Sequence, residues 1–152
     1  MTDIDALNLA PVARAAAIRL REQFPSVKFT SGRRAVADQA RAMSQNVAKN
    51  RKWIAKTYVS TPESRELQAE VDKLGPHATA ETIAHVLGAL MEDWTDAQKG
   101  RVSKHFSGEA FDVQPVPGKE GDAIKASIRK LPGLVKFLET EGGLIRWHAQ
   151  FA

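Results

Sequence analysis

The sequence predicts an α+β fold, with a helical first half and a small antiparallel sheet that carries the chemistry. Three features predict it. From Pro11 to Met91 the chain reads as a succession of helical segments. Two late segments, Ala110–Val116 and Leu144–Phe151, alternate between apolar and polar residues as strands do. Pro132-Gly133 and Gly142-Gly143 cut the second half into short pieces. At 152 residues the chain is read as one domain spanning 1–152, large enough to bury a core without covalent staples.

Taken in order, Pro11 suits a first helical position, and Val12, Ala15, Ala16 and Leu20 follow at helical spacing until Pro25 closes the segment. Val27-Lys28-Phe29-Thr30 alternates and predicts a short strand, which Ser31-Gly32 breaks. A long helical run follows from Ala35 to Tyr58. Thr61 and Pro62 form an N-cap and first-turn pair for a helix reaching Leu74, where Gly75-Pro76 stops it. Thr79 caps a further helix through Met91. After the Ala110–Val116 strand, Pro117-Gly118 marks a turn, and Ile124, Ile128 and Leu131 mark a helix. Pro132-Gly133 divides it from a second short helix at Leu134–Leu138, and Gly142-Gly143 precedes the last strand.

Lys and Arg total 22 and Asp and Glu 18, a formal charge of +4. That excess suits an anionic partner such as nucleic acid, acidic lipid or cell-wall polymer, without choosing among them. The absence of cysteine excludes disulfides, thiolate metal sites, iron–sulfur clusters and a cysteine nucleophile. No run approaches the roughly 18 apolar residues of a membrane span, so no membrane insertion is expected. The acidic start, Met1-Thr2-Asp3-Ile4-Asp5, lacks the basic and apolar regions of a signal peptide, which predicts cytoplasmic synthesis. Arg41, Lys49, Arg51, Lys52 and Lys56, with Trp53 and Tyr58, read either as a track for a polyanion or as a solvated helix face with its aromatics packed inward. No DNA-binding signature accompanies them, so no specific nucleic-acid partner is expected.

The informative segment runs from Ser103 to Val113. His105 lies just before a turn at Gly108, and Asp112 lies on the strand after it. Strand geometry puts Ala110, Asp112 and Gln114 on one face and Phe111 and Val113 on the other. Near the C-terminus, Arg146, His148 and Gln150 share a face, with Trp147, Ala149 and Phe151 opposite. Pairing the two strands lets Asp112 meet His148, and the turn brings His105 over them. Two imidazoles and a carboxylate suit a zinc site with one position left for water. His77, beside Gly75-Pro76, and His85, on a helix, read as ordinary histidines.

Ser103-x-His105-x-x-Gly108-x-Ala110-x-Asp112, followed by Trp147-His148, resembles the M15-type zinc D,D- and L,D-peptidases. These include D-alanyl-D-alanine carboxypeptidases, vancomycin-resistance dipeptidases and phage endolysins that cut peptidoglycan stem peptides; the hedgehog signalling domain is similar in fold. Upstream, Thr30-Ser31-Gly32-Arg33-Arg34 with Gln39 resembles the family's Ser-Gly-x-Arg segment and its following Gln, with Arg34 in the place of the family arginine. The resemblance implies a hedgehog/DD-peptidase-like fold and a zinc ion held by His105, Asp112 and His148. It implies that Ser103 holds the ligand loop by a hydrogen bond, and that Arg34, with Gln39, binds a carboxylate or carbonyl of the peptide. The implied activity is peptidoglycan peptide hydrolysis by a monomer, acting on the cell wall after release from the cell or as part of a phage particle.

One position departs from the family pattern. The carboxylate that handles the proton stands three residues before the last histidine, and here that residue is Ile145. Glu141 is the nearest upstream candidate for the role, with Glu139 beyond it, and Glu109 alternates away from the face of Asp112. Three readings therefore follow. The chain is a zinc peptidase, or it is a catalytically weak or inactive zinc-containing module that binds cell wall or belongs to a virion, or it is a metal-free helical protein that binds nucleic acid through its basic segment.

Overall fold

The computed structural model describes residues 2–152 except 142 and 143, and describes Glu141 in its backbone alone. In chain order the described residues form α1 (Asp3–Ala6), α2 (Pro11–Gln23), β1 (Phe29–Ser31), α3 (Val36–Lys49), α4 (Trp53–Thr57), α5 (Pro62–Asp72) and α6 (Ala80–Glu92). Then follow α7 (Asp96–Val102), α8 (Lys104–Ser107), β2 (Ala110–Val113), α9 (Gly118–Ile128), β3 (Leu134–Glu141) and β4 (Leu144–Phe151). The class is α+β, as the sequence predicts. The residues pack as two compact units: the segment up to Arg33 together with Ser107–Ala152, and Arg34–Phe106.

The first unit holds the sheet. Its strands are all antiparallel, in the order β1-β2-β4-β3. Ala13, Ala16, Ala17 and Leu20 of α2 fall on one helical face and are all buried. With Phe111, Val113, Ile124, Ile128, Trp147, Ala149 and Phe151 they form this unit's core. Phe111 stacks on Phe151 and takes the edge of Phe29, each with ring centroids 5.1 Å apart. β1 is displaced from the expected 27–30 and ends at Ser31, where it pairs with Asp112 across an irregular step. β2 ends at Val113, short of the expected Val116: Gln114 still donates its N–H to the Lys28 carbonyl at 2.8 Å, but Pro115 has no N–H to continue the ladder.

The short helix expected at Leu134–Leu138 is instead the start of the strand β3. Leu134, Lys136, Phe137 and Leu138 pair with Phe151, Gln150, Ala149 and His148 of β4. Leu134 and Leu138 are spaced as on a helix, but β4 supplies paired partners on both sides of an irregular step at Val135, and local propensity yields to such pairing. The expected break at 142–143 lies outside the described residues.

The second unit is helical around its own core of Met43, Val47, Ile54, Leu67, Val71, Ile83, Leu87, Met91 and Phe106. Thr61 caps α5 through a reciprocal box with Ser64, and Thr79 caps α6 by accepting from the Thr82 N–H. The run expected unbroken from Ala35 to Tyr58 divides into α3 and α4. Asn50 is extended at φ −149°, and its side-chain carbonyl accepts the Lys52 N–H at 3.1 Å, a local turn that competes with the helix. The sequence reading passes over α7, although Thr95 and Gln98 form a capping box at its start.

This break sets the fate of the basic cluster. The Arg51 guanidinium donates to the carbonyls of Val71, Leu74 and Gly75 at 2.7, 2.8 and 2.8 Å, which satisfies the C-terminal end of α5. Lys52 pairs with Asp72, Arg41 pairs with Asp38, and Trp53 meets Tyr58 edge to face at 5.5 Å. Arg51→Ala should therefore destabilise the helical unit by about 1–3 kcal/mol through the loss of three charge-assisted hydrogen bonds, with Arg51→Lys recovering only part of it. Urea unfolding of the two variants against the parent checks this.

Strong acid should weaken the ion pair that ties α1 to α2. The Arg14 guanidinium, 2.6 Å from Asp5, together with the Thr2 backbone N–H, holds the Asp5 carboxyl down from 3.8 to about 2. A depressed carboxyl contributes stability in full above its unfolded value and loses it as the pH falls through the folded one. Asp5→Asn should flatten the fall in melting temperature between pH 4 and pH 2, as read by calorimetry on the variant and the parent.

Candidate metal centre

β2 and β4 are the two inner strands of the sheet, and their register sets Asp112 directly opposite His148. The sequence places Asp112 on a face away from its apolar neighbours, and the pairing agrees. The strand is nevertheless buried on both faces: Asp112 and His148 are only 3% and 4% exposed. A carboxylate in such a place requires a polar or cationic partner. His148 provides one, with Nδ1 at 2.9 Å from Asp112 Oδ1. On its other side, His148 Nε2 lies 3.0 Å from Gln150 Oε1.

His105, 5% exposed, sits on α8, the single turn whose last residue, Ser107, opens the segment leading into β2. The bend that follows depends on Gly108. Its φ of +79° is a left-handed conformation that a Cβ disfavours, and a Cβ there would stand 2.7 Å from the Arg33 guanidinium. The Gly108 carbonyl accepts from the Ala10 N–H at 2.8 Å, and the Glu109 carbonyl accepts from the Phe151 N–H at 2.8 Å, so the bend is tied to the start of α2 and to β4. The Ser107 hydroxyl donates to the Glu109 carboxylate.

His105, Asp112 and His148 each present one ligand atom, and these atoms all lie within 4.8 Å of one another. A tetrahedral zinc about 2.0–2.2 Å from its donors spaces them roughly 3.3–3.5 Å apart, within reach of small side-chain movements from this arrangement. The donor set fits a divalent metal: two imidazoles and one carboxylate leave a tetrahedral position open, and the same ligands suit several first-row metals. His77 and His85, both exposed, are not part of this group.

The remaining residues named from the sequence fall as follows. The backbone N–H of Arg34 donates to the His105 carbonyl at 2.9 Å. Its guanidinium donates to the buried Gln39 side chain at 3.2 Å. Tyr58, which the sequence reading leaves in the basic segment, hydrogen-bonds Gln39. Burial pushes its hydroxyl above the ordinary 10.0, against the opposing pull of Arg34 and Gln39. Nothing local marks Tyr58, because its partners come from other elements. Ser103 ends α7 and holds the loop through its backbone: its N–H donates to Lys99 and its carbonyl accepts from Phe106.

Ile145 is 73% exposed and faces Thr140 across the hairpin. The register shifts between the Leu138–His148 and Thr140–Ile145 pairs, so simple alternation along β4 does not carry from His148 to position 145. Glu141 stands at the end of β3 opposite Leu144, and its side chain lies outside the described residues. Glu139 is engaged elsewhere, in ion pairs with Lys125 and Arg129 that lower its pKa.

No helix among the described residues is long and apolar enough to cross a membrane. Compared with known proteins, the chain matches no family model, no curated protein and no solved structure.

The centre predicts a definite stoichiometry. Protein dialysed against zinc should retain one ion per chain by elemental analysis, and Asp112→Ala or His148→Ala should reduce this to background while circular dichroism stays that of a folded chain.

Proposed function

We propose that the chain is a zinc-dependent peptidase acting on peptidoglycan stem peptides, of the endolysin or carboxypeptidase type. The convergence of His105, Asp112 and His148 carries this reading, because the three residues that the motif resemblance singles out are the three whose ligand atoms come together. A metal held there would lower the pKa of a water and polarise a peptide carbonyl. Asp112 and His148 hold their side of the site from two paired inner strands, a rigid base, and His105 approaches from the Gly108 bend. Arg34, braced by Gln39, offers a planar fork that suits a peptide carboxylate. The protein would meet the wall after release from the cell or as a component of a phage particle.

The exposed Ile145 favours a second reading, a zinc-containing wall-binding or virion module with little turnover. Isoleucine moves no proton, and losing a positioned acid–base group costs about 10²–10⁴-fold in rate.

One preparation separates the two. Zinc-loaded protein is incubated with purified cell walls, and new amino termini are counted while products are identified by mass. A peptidase releases fragments that disappear with EDTA and with His148→Ala; cleavage that survives His148→Ala overturns the metal mechanism. Zinc and muropeptide binding without product selects the second reading.

A further inference from the structure

We propose that Gln150 decides which ring nitrogen of His148 takes the metal, by accepting the Nε2 proton and so turning the Nδ1 lone pair toward Asp112. This rests on the reading of His105, Asp112 and His148 as a metal centre, and it assigns a positioning residue that the motif does not contain.

The argument is one of proton inventory. A neutral imidazole carries one N–H, and only the other nitrogen can bind a metal. His148 has a distinct neighbour on each side: Asp112 Oδ1 at 2.9 Å from Nδ1 and Gln150 Oε1 at 3.0 Å from Nε2. Asp112 is itself a ligand, so the nitrogen beside it is the one able to share its ion. That nitrogen must be bare when the metal arrives, and the ring proton must then sit on Nε2, where it needs an acceptor. The amide oxygen of Gln150 is in place to be that acceptor. Metal-bound histidines commonly donate their second N–H in this way, which fixes both the tautomer and the ring angle.

The backbone makes the arrangement dependable. His148 and Gln150 are two residues apart on β4, so they project from the same face. Gln150 pairs with Ala110, whose small side chain leaves the amide room beside the ring, and His148 pairs with Asp112. The same two strands therefore place the ligand, the imidazole and the proton acceptor in a row. A leucine at position 150 would keep the strand and the apolar bulk but leave the Nε2 proton without its acceptor. A glutamate would keep an acceptor oxygen at the same reach.

The test reads the tautomer and the affinity, not the activity. In the zinc-loaded parent, long-range ¹H–¹⁵N spectra of histidine-labelled protein should show His148 protonated at Nε2. Competition with a chromophoric chelator should show Gln150→Leu losing about 10–100-fold in zinc affinity, with Gln150→Glu restored to near the parent. A zinc-loaded parent with His148 protonated at Nδ1 overturns the inference, whatever the variants do. So does a folded Gln150→Leu chain that holds zinc as tightly as the parent. A parent that takes up no zinc at all sinks the metal centre itself, and this inference with it.

Discussion

The register of β2 against β4 is the constraint on which the site depends. Strand side chains alternate with a period of two, so a slip of one residue would turn Asp112 and His148 to opposite faces and disperse the group. The apolar face prevents that slip. Phe111, Trp147, Ala149 and Phe151 project opposite to Asp112 and His148, and the stacking of Phe111 on Phe151 locks the pairing from the core side. The polar geometry is thus held by hydrophobic packing a strand's thickness away. A metal held by two inner strands would begin with little conformational freedom left to lose.

Burial makes the polar group demanding. Carboxylate and imidazole both lie nearly out of water, where an unpaired charge is costly and a satisfied one is held tightly. The chain meets the demand through close neighbours: Asp112 on one side of the imidazole and Gln150 on the other. A divalent ion answers the same demand, because it places positive charge beside a buried carboxylate and needs neutral imidazoles as its other ligands. Such a cluster has a chemical rationale as a site that a set of core hydrogen bonds alone would lack.

The helical unit shows the opposite use of charge. Its basic run, which in the sequence invites a polyanion, is spent largely on structure. Arg51 closes the end of α5, Lys52 pairs with Asp72 and Arg41 with Asp38. Arg34 differs in kind. Its described side-chain partner is the amide of Gln39, and its backbone touches His105.

The sequence by itself determined the features that short-range chemistry encodes. Thr61, Pro62 and Thr79 announce two helices because capping acts within one turn. The alternation at Ala110–Val113 and Leu144–Phe151 announces two strands and the faces that Asp112 and His148 share. Thr95 and Gln98 were equally legible as a capping box, and α7 could have been read from them. Tertiary structure decided what depends on distant partners. Leu134–Leu138 is a strand because β4 lies beside it, against a helical spacing of leucines. Arg51 caps a helix twenty residues away in the chain. The nitrogen that His148 offers depends on Gln150 and Asp112 together, and Asp112 reaches it only because two segments remote in sequence hydrogen-bond in one register. Local rules fix a residue's face; only the packed chain fixes what that face meets.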